Sequence, residues 1–306
     1  MTIRKAILHI GTMKTGTTSV QTALKINPRW LAQQGYSYLD WPLRTSELLE
    51  KRIRAVPSER NIIISDEGLW HFAFSGRSDT AAIAKCLADF KVTVLVYLRR
   101  PDEFLEAWFS QGLKSGTGGS RVADFLSSGF VQTGSAFKTR LDAFAALFGK
   151  EAIQVCPYEK KQMPQGDIVL DFLQKTGLAP VGSDYKSLTA AGFEAVATRS
   201  NVSPDPDALL LISIMRRFAP TDQVAIAEIT ASLVNAAKRA EQSSHKRLLQ
   251  RDEVDLIIAQ TRPELHKIQQ DYGGGGGPDF FLDWPTPETP HEVCALRSIY
   301  DQIMVK

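Results

Sequence analysis

The chain has few cysteines and no long apolar run. Its cysteines, Cys86, Cys156 and Cys294, are odd in number and widely separated, with no CxxC pair of the kind that zinc and redox sites use. The longest aliphatic stretch, from Ala208 to Met215, is far shorter than the ~20 residues that a membrane-spanning helix needs. These absences predict reduced thiols, no metal, no membrane span and a cytoplasmic location.

Charge of either sign is also not in excess. The chain has 36 basic and 34 acidic residues, for a formal net charge of +2, so it lacks the basic surplus that is typical of nucleic-acid-binding proteins. Apolar residues make up 43% of the sequence and charged residues 23%, as in ordinary globular proteins with a sizeable core. Any anion site must therefore be a local arrangement, and we expect no nucleic-acid partner.

Short runs rich in β-branched residues predict buried parallel strands. These runs are residues 6–10, 61–65, 92–98 and 152–156. Helical spacing follows Ser19, and further helical patterns lie around 78–89, 101–114 and 135–149. Strands that alternate with helices predict an α/β fold with a three-layer parallel sheet of the P-loop or Rossmann-like type.

After about Ile168 the pattern is mostly helical. Helices are expected at 167–176, 205–218, 223–241 and 253–272. At 306 residues we expect one domain, with a nucleotide-binding core over 1–180 and a helical extension over 181–306. The glycine run from Gly273 to Gly277 predicts a flexible connector, with a nucleotide-cradling loop as the alternative.

The segment from Gly11 to Ser19 lies between the first predicted strand and helix, where backbone amides and a helix N-terminus attract phosphate. Gly11 and Gly16 have the separation of the glycines in a GxxxxGK[ST] loop, but Thr17 stands at the lysine position and the lysine is Lys14. The strict NTPase pattern therefore fails. The candidate anion ligands are Gly11, Thr12, Lys14, Thr15, Gly16, Thr17, Thr18 and Ser19.

The run from Lys14 to Thr18 resembles the 5'-phosphosulfate loop of the sulfotransferases, Pro-Lys-Ser-Gly-Thr-Thr. Thr15 replaces the serine of that pattern, and Met13 replaces the proline. The resemblance extends over residues 6–180 and implies 3'-phosphoadenosine-5'-phosphosulfate as co-substrate, without a metal. It also implies that Lys14 acts on the transferring group. An ordinary glycine turn before a helix is the alternative.

A second strand-to-helix junction carries Arg99, Arg100 and Pro101. Arg99 resembles the arginine of the family's 3'-phosphate motif, which precedes a helix that brings a serine to the same phosphate. In this chain Ala107 stands at the expected serine position and Ser110 is the nearest hydroxyl, so either Ser110 substitutes or arginine and backbone hold the phosphate alone. Arg100 is expected in a surface ion cluster instead.

Candidate bases follow the predicted strand over 61–65. Proton removal from an acceptor needs a group near Lys14, and Glu67 is the first candidate, Asp66 the second and His71 the third. Asp66 or Glu67 could instead cap the next helix. The same strand followed by two carboxylates also imitates a Walker B motif, which keeps a P-loop kinase or ATPase as an alternative.

The last candidate ligand is Arg199, in a loop before Pro204 that resembles a late family loop near the 3'-phosphate; Ser203 in that loop could equally be a helix cap. Tyr158 and Glu159 resemble a family segment with a scaffold role. The acceptor is expected to be a small molecule or carbohydrate with a hydroxyl or amine. Acceptor pockets in such folds are built from variable loops and helices, so the sequence does not identify the molecule itself. A non-catalytic nucleotide-binding protein is the third functional class that the sequence allows.

Overall fold

A computed structural model describes residues 3–40, 45–72, 79–116, 121–196, 205–218, 223–240, 246–273 and 279–304. Five strands form one sheet: β1 Arg4–His9, β2 Tyr36–Leu39, β3 Asn61–Ser65, β4 Phe90–Leu98 and β5 Ile153–Pro157. Their order is β2-β3-β1-β4-β5, and every pairing is parallel. The predicted α/β class with a parallel sheet flanked by helices is confirmed.

Fifteen α-helices occur among the described residues. They are α1 Thr17–Ile26, α2 Pro28–Gln33, α3 Ser46–Arg54, α4 Glu67–Phe72, α5 Thr80–Cys86, α6 Pro101–Ser115, α7 Val122–Ser127, α8 Gly129–Ser135, α9 Phe137–Phe148, α10 Ile168–Lys175, α11 Tyr185–Ala190, α12 Pro206–Phe218, α13 Gln223–Ala240, α14 Arg251–Tyr272 and α15 Arg297–Met304. No helix in the described ranges is both long and apolar enough to cross a membrane.

The four predicted strands are present, and the sheet gains one strand that the sequence did not predict. That strand is β2, which has four residues and pairs only with β3 at the edge of the sheet. After Pro157 the described elements are helices, with a single isolated bridge between Arg247 and Val293. The predicted helical C-terminal region is therefore also confirmed, and within the glycine run only Gly273 belongs to the described residues.

Residue contacts divide the chain into two compact units. The first unit is Met1–Arg100, Phe137–Thr198 and Pro263–Trp284, and it contains the whole sheet. Its core joins Ile7, Ile63 and Leu95 of three strands to Leu24 of α1 and Phe172 of α10, all of them buried. Burial of apolar side chains from both strands and helices is the main force that holds this unit together.

The second unit is Pro101–Ala136, Arg199–Arg262 and Pro285–Lys306. Inside it, Arg297 is almost fully buried and forms ion pairs with Glu253 of α14 and Asp301 of α15, at 2.7 and 2.9 Å. Tyr300 of α15 lies edge-on to Phe109 of α6 and shares a hydrogen bond with Ser213 of α12. These contacts connect four helices from distant parts of the sequence. That both units belong to one domain stays a prediction.

Candidate active site

The candidate residues of the first unit gather where the parallel strands end. The Gly11–Ser19 segment follows β1, Asp66 and Glu67 follow β3, and Arg99 follows β4. Strand β1 lies between β3 and β4: the chain forms β2 and β3 on one side of it, and then crosses to form β4 and β5 on the other. In open parallel sheets ligands bind at such a reversal of strand order, beyond the carboxyl ends of the strands.

The threonines of the loop have two different environments: Thr12 and Thr15 form hydrogen bonds that hold the loop, whereas Thr18 is exposed. The Thr12 amide and hydroxyl both donate to the Tyr97 carbonyl of β4, at 3.3 and 3.0 Å, and the Thr15 hydroxyl donates to the Thr12 carbonyl at 2.5 Å. The hydroxyls of Thr12 and Thr15 are therefore engaged within the scaffold of the loop. Thr18 is exposed and Ser19 half-buried at the start of α1.

Both loop glycines have conformations or surroundings that a larger residue would disturb. Gly16 is the N-cap of α1 with φ +73°, and a Cβ there would stand 2.9 Å from the Ile168 side chain. Since no side chain caps this helix, its first amides remain directed at the loop. A Cβ on Gly11 would lie only 3.0 Å from the His9 ring. Neighbouring side chains therefore pack so closely against Gly11 and Gly16 that a larger residue at either position would require them to shift.

Lys14 is held at the crown of the loop in an unusual backbone conformation, with φ 66°. A non-glycine residue in this left-handed region costs roughly 1–2 kcal/mol. Burial lowers the pKa of its amine, the Glu67 carboxylate opposes that shift, and the Arg99 guanidinium lowers the pKa further. Groups that follow β3 and β4 thus act electrostatically on the lysine of the loop that follows β1.

Arg99 reaches the loop from β4. Its Nη1 makes a long 3.5 Å contact to the Lys14 carbonyl, and its guanidinium lies 6.0 Å from the centre of the Tyr158 ring. The neighbouring Arg100 points elsewhere and donates to the Asp283 carbonyl. The two adjacent arginines therefore have different hydrogen-bond partners. Of the two, Arg99 is the one with a described hydrogen bond to the loop.

The two carboxylates after β3 also differ. Asp66 is fully buried, and its Oδ1 accepts a 2.8 Å hydrogen bond from the Gly68 amide at the start of α4. The capping interpretation therefore applies to Asp66. Glu67 is the first residue of α4, is half-buried, and is the carboxylate that acts on Lys14. His71 lies in α4, and its side chain is outside the described part of the structure.

The remaining candidates belong to the second unit or are not described. Ser110 belongs to α6 in the second unit, where its Oγ donates to the Glu106 carbonyl at 2.9 Å. Arg199 lies outside the described residues. Within the described ranges, no three or more His, Cys, Asp and Glu side chains form a group that could hold a metal ion. The functional roles of all these candidates stay predictions.

The sequence did not single out His9, which lies directly beneath the loop. Its ring is fully buried against Tyr97 and Phe172, and its Nδ1 is 2.9 Å from the Ser65 Oγ. This burial lowers the pKa of His9 from 6.5 to about 3, so the ring is neutral at physiological pH. A lone histidine at the end of a strand carries no sequence signal of its depth.

Tyr158 and Glu159, expected only as scaffold, also lie at this edge. A Cβ on Gly16 would stand 3.3 Å from the Tyr158 ring, so the ring packs against the loop. The Glu159 carboxylate accepts hydrogen bonds from the Leu282 and Asp283 amides, at 2.9 and 2.7 Å. Tyr158 thereby forms a wall beside the loop, and Glu159 fixes a distant segment next to it.

The strain at Lys14 gives a prediction about stability. Lys14→Gly should make the protein about 1 kcal/mol more stable than Lys14→Ala, because glycine adopts φ 66° without steric cost and alanine does not. Urea unfolding of both variants measures the difference. Gln165, at φ 54° in a surface turn, is the matched control. Gln165→Gly should be more stable than Gln165→Ala by a similar amount. Equal stability of the two Lys14 variants would show that the loop is unstrained.

The buried imidazole of His9 gives a prediction about pH. Its pKa is lower in the folded state than in the unfolded chain, so unfolding takes up a proton at intermediate pH and stability falls as pH drops from 6.5 towards 3. Relative to pH 8, this group should cost about 2 kcal/mol at pH 5. His9→Gln lacks the titration, so the stability difference between wild type and variant should shrink by that amount. A constant difference would contradict a neutral, buried ring.

Comparisons with known proteins give distant similarities. No protein-family model matches the chain. An uncharacterized protein of Archaeoglobus fulgidus is 26% identical over 188 residues, covering 59% of this chain and 46% of that protein, so the chain spans about half the length of the curated relative it matches. A solved structure of a sulfotransferase from Alicyclobacillus acidocaldarius aligns with 13% identity and a TM-score of 0.38, covering 77% of this chain and 97% of that one. Neither similarity places the chain in a family.

Proposed function

We propose that this protein is a sulfotransferase that moves a sulfuryl group from 3'-phosphoadenosine-5'-phosphosulfate to the hydroxyl or amine of a small molecule or carbohydrate. The observation that carries the proposal is the convergence of Lys14, Glu67 and Arg99 on one glycine-containing loop. Two cations beside a helix N-terminus form a site for a doubly anionic ligand. A carboxylate beside them supplies the base that sulfuryl transfer needs.

The residues present fit the nucleotide. The uncapped first turn of α1 and the cradle around Gly11 and Gly16 suit the 5'-phosphosulfate. Arg99 suits the 3'-phosphate, because a guanidinium binds phosphate through paired hydrogen bonds. Tyr158 presents a ring beside Arg99. When bound, the co-substrate supplies the sulfuryl group and a stable nucleotide leaving group.

Lys14 and Glu67 would act on opposite ends of the transfer. The acceptor oxygen or nitrogen forms the new bond to sulfur while the bond from sulfur to the 5'-phosphate oxygen breaks. Lys14 neutralises the charge that grows on this phosphate oxygen, where a cation held in a partly desolvated site is most effective. Glu67 takes the proton that the acceptor loses. Lys14 has a left-handed backbone, a conformation that persists only where the surrounding structure holds the residue in place.

A P-loop kinase or ATPase is the competing function. Such an enzyme needs a lysine next to the second loop glycine and a carboxylate after β3 to hold Mg²⁺ with its water. Here the lysine precedes Gly16, and the Asp66 carboxylate accepts a helix amide. Both features favour the sulfotransferase over the kinase. A kinase should bind ATP in a manner that depends on Mg²⁺, whereas a non-catalytic scaffold should bind neither nucleotide tightly.

The experiment that tests the function is calorimetric titration with 3'-phosphoadenosine 5'-phosphate, with adenosine 5'-monophosphate, and with ATP in the presence and absence of Mg²⁺. We expect tight, metal-independent binding of the first nucleotide. Arg99→Ala should weaken it by about 1.5–3 kcal/mol, the size of one lost charge-assisted contact, and should leave the monophosphate nearly unchanged. Arg100→Ala is the matched control, since Arg100 binds the Asp283 carbonyl.

Two results of this titration would contradict the proposal. Binding of ATP that requires Mg²⁺ would favour the kinase. If Arg99→Ala lowered the affinity for 3'-phosphoadenosine 5'-phosphate and for adenosine 5'-monophosphate equally, Arg99 would be excluded as the ligand of the 3'-phosphate.

The role of Glu67 gives a kinetic prediction. Glu67→Gln should lower turnover roughly 10²–10⁴-fold, the usual loss for a general base, while nucleotide affinity stays nearly unchanged. Glu47→Gln is a matched control because Glu47 is also an acidic residue in the first turn of a helix, and it is exposed. Turnover and melting temperature should be measured on the same preparations. Near-normal turnover of Glu67→Gln, with the cost appearing in stability alone, would exclude Glu67 as the base.

A further inference from the structure

Buried polar atoms of His9 and Thr17 lie around Gly11, at the start of the loop. The point that a Cβ on Gly11 would occupy is 3.0 Å from His9 Nε2, 3.1 Å from Thr15 Oγ1 and 3.4 Å from Thr17 Oγ1. The Thr15 hydroxyl is already engaged by the Thr12 carbonyl. Two polar atoms, His9 Nε2 and Thr17 Oγ1, therefore lie close to the same point beside Gly11.

These two atoms share a rare condition. Both are buried, in side chains that are 0% and 2% exposed, and neither has a hydrogen-bond partner among the described residues. Leaving a buried polar atom unpaired costs about 1–3 kcal/mol, so two such atoms around one glycine are expected to serve a purpose. The neutral imidazole has one donor and one acceptor nitrogen, and a hydroxyl can satisfy either.

The other side of the His9 ring is tied to β3. Nδ1 pairs with the Ser65 hydroxyl, and the Ser65 carbonyl accepts from the Gln21 side chain of α1 at 2.9 Å. Ser65 directly precedes Asp66, whose amide donates to the His9 carbonyl at 3.0 Å. His9 thus stands between the segment that carries Glu67 and the first residue of α1, Thr17.

We propose that His9 is a positioning residue of the nucleotide site: fixed by Ser65, it pairs through Nε2 with the Thr17 hydroxyl when the loop closes on an anion. This pairing fixes the first turn of α1 relative to the end of β3, so the phosphate-binding amides and Glu67 keep one geometry. The inference rests on the proposed function for the identity of the anion. The His9–Thr17 pair itself requires only an anion in the loop and can be tested with inorganic pyrophosphate in place of the nucleotide.

A double-mutant cycle tests the pair. His9→Asn removes a polar group at the Nε2 position, and Thr17→Val removes the hydroxyl with its shape retained. Each should weaken binding of 3'-phosphoadenosine 5'-phosphate by about 5- to 10-fold, the effect of one lost hydrogen bond. The affinity of the double variant should be no lower than that of the weaker-binding single variant, because the effects of mutating two paired residues are not additive. A loss equal to the product of the two single losses would overturn the proposal.

Conservative variants separate positioning from simple packing. His9→Gln places an amide nitrogen near the Nε2 position, and Thr17→Ser keeps the hydroxyl, so both should bind within about 3-fold of wild type, less than one hydrogen bond is worth. If His9→Gln binds as weakly as His9→Asn although both are folded, the Nε2 contact has no role in positioning. His291→Asn is a control for histidine removal, since the His291 ring contacts the Leu249 carbonyl in the second unit.

The same cycle in urea unfolding, with inorganic pyrophosphate in place of the nucleotide, distinguishes the two possible failures. If wild type binds no adenine nucleotide, the proposed function is contradicted, and the unfolding midpoints alone decide on the pair. A double variant no less stable than the worse single variant supports the pair, whereas additive midpoint shifts overturn it. The unfolding midpoints could show coupling between His9 and Thr17 while the losses of nucleotide affinity multiply. In that case His9 has only a structural role, and the positioning role is overturned.

Discussion

The pairing of β1 with both of its neighbours is the constraint on which the candidate site depends. His9 lies opposite Ser65 of β3 and Leu95 of β4 in the two parallel registers. These registers bring the residues that follow each strand to one edge. A shift of one residue in either register would turn alternate side chains to the opposite face of the sheet, so the buried core fixes the relative positions of the polar residues beyond it.

The site concentrates unfavourable terms that the surrounding structure must offset. Lys14 adopts a left-handed backbone conformation and is partly desolvated near a second cation, Arg99. The Thr12 hydroxyl holds the loop backbone to β4, and the Thr15 hydroxyl donates to the Thr12 carbonyl within the loop. Strain and like-charge repulsion that persist in a folded protein are typical of sites whose ligand relieves them. An anion bound here would be attracted by the charges that now repel one another.

Much of the fold could be predicted because buried parallel strands have a strong composition. The runs before Gly11, Asp66 and Arg99 are apolar and β-branched, and each of them is a strand. The edge strand β2 was not predicted, because Tyr36–Leu39 is short and contains a polar serine. Prediction of the site was more limited: adjacent positions such as Asp66 and Glu67, or Arg99 and Arg100, look alike in sequence and differ only in their partners. The depth of His9 depends on Tyr97 and Phe172, which are distant in sequence.

The contacts of Glu159 have a consequence for the order in which the chain can mature during synthesis. Its carboxylate binds amides that lie 123 and 124 positions later, so the edge of the sheet acquires its last hydrogen-bonding partners only after Asp283 has left the ribosome. Domains usually fold as units while synthesis proceeds from the N-terminus. Here the five strands are complete by Pro157, yet the sheet unit extends to Trp284. In a nascent chain with an assembled sheet, the Glu159 carboxylate would thus lack these two backbone partners until more than a hundred further residues had been translated.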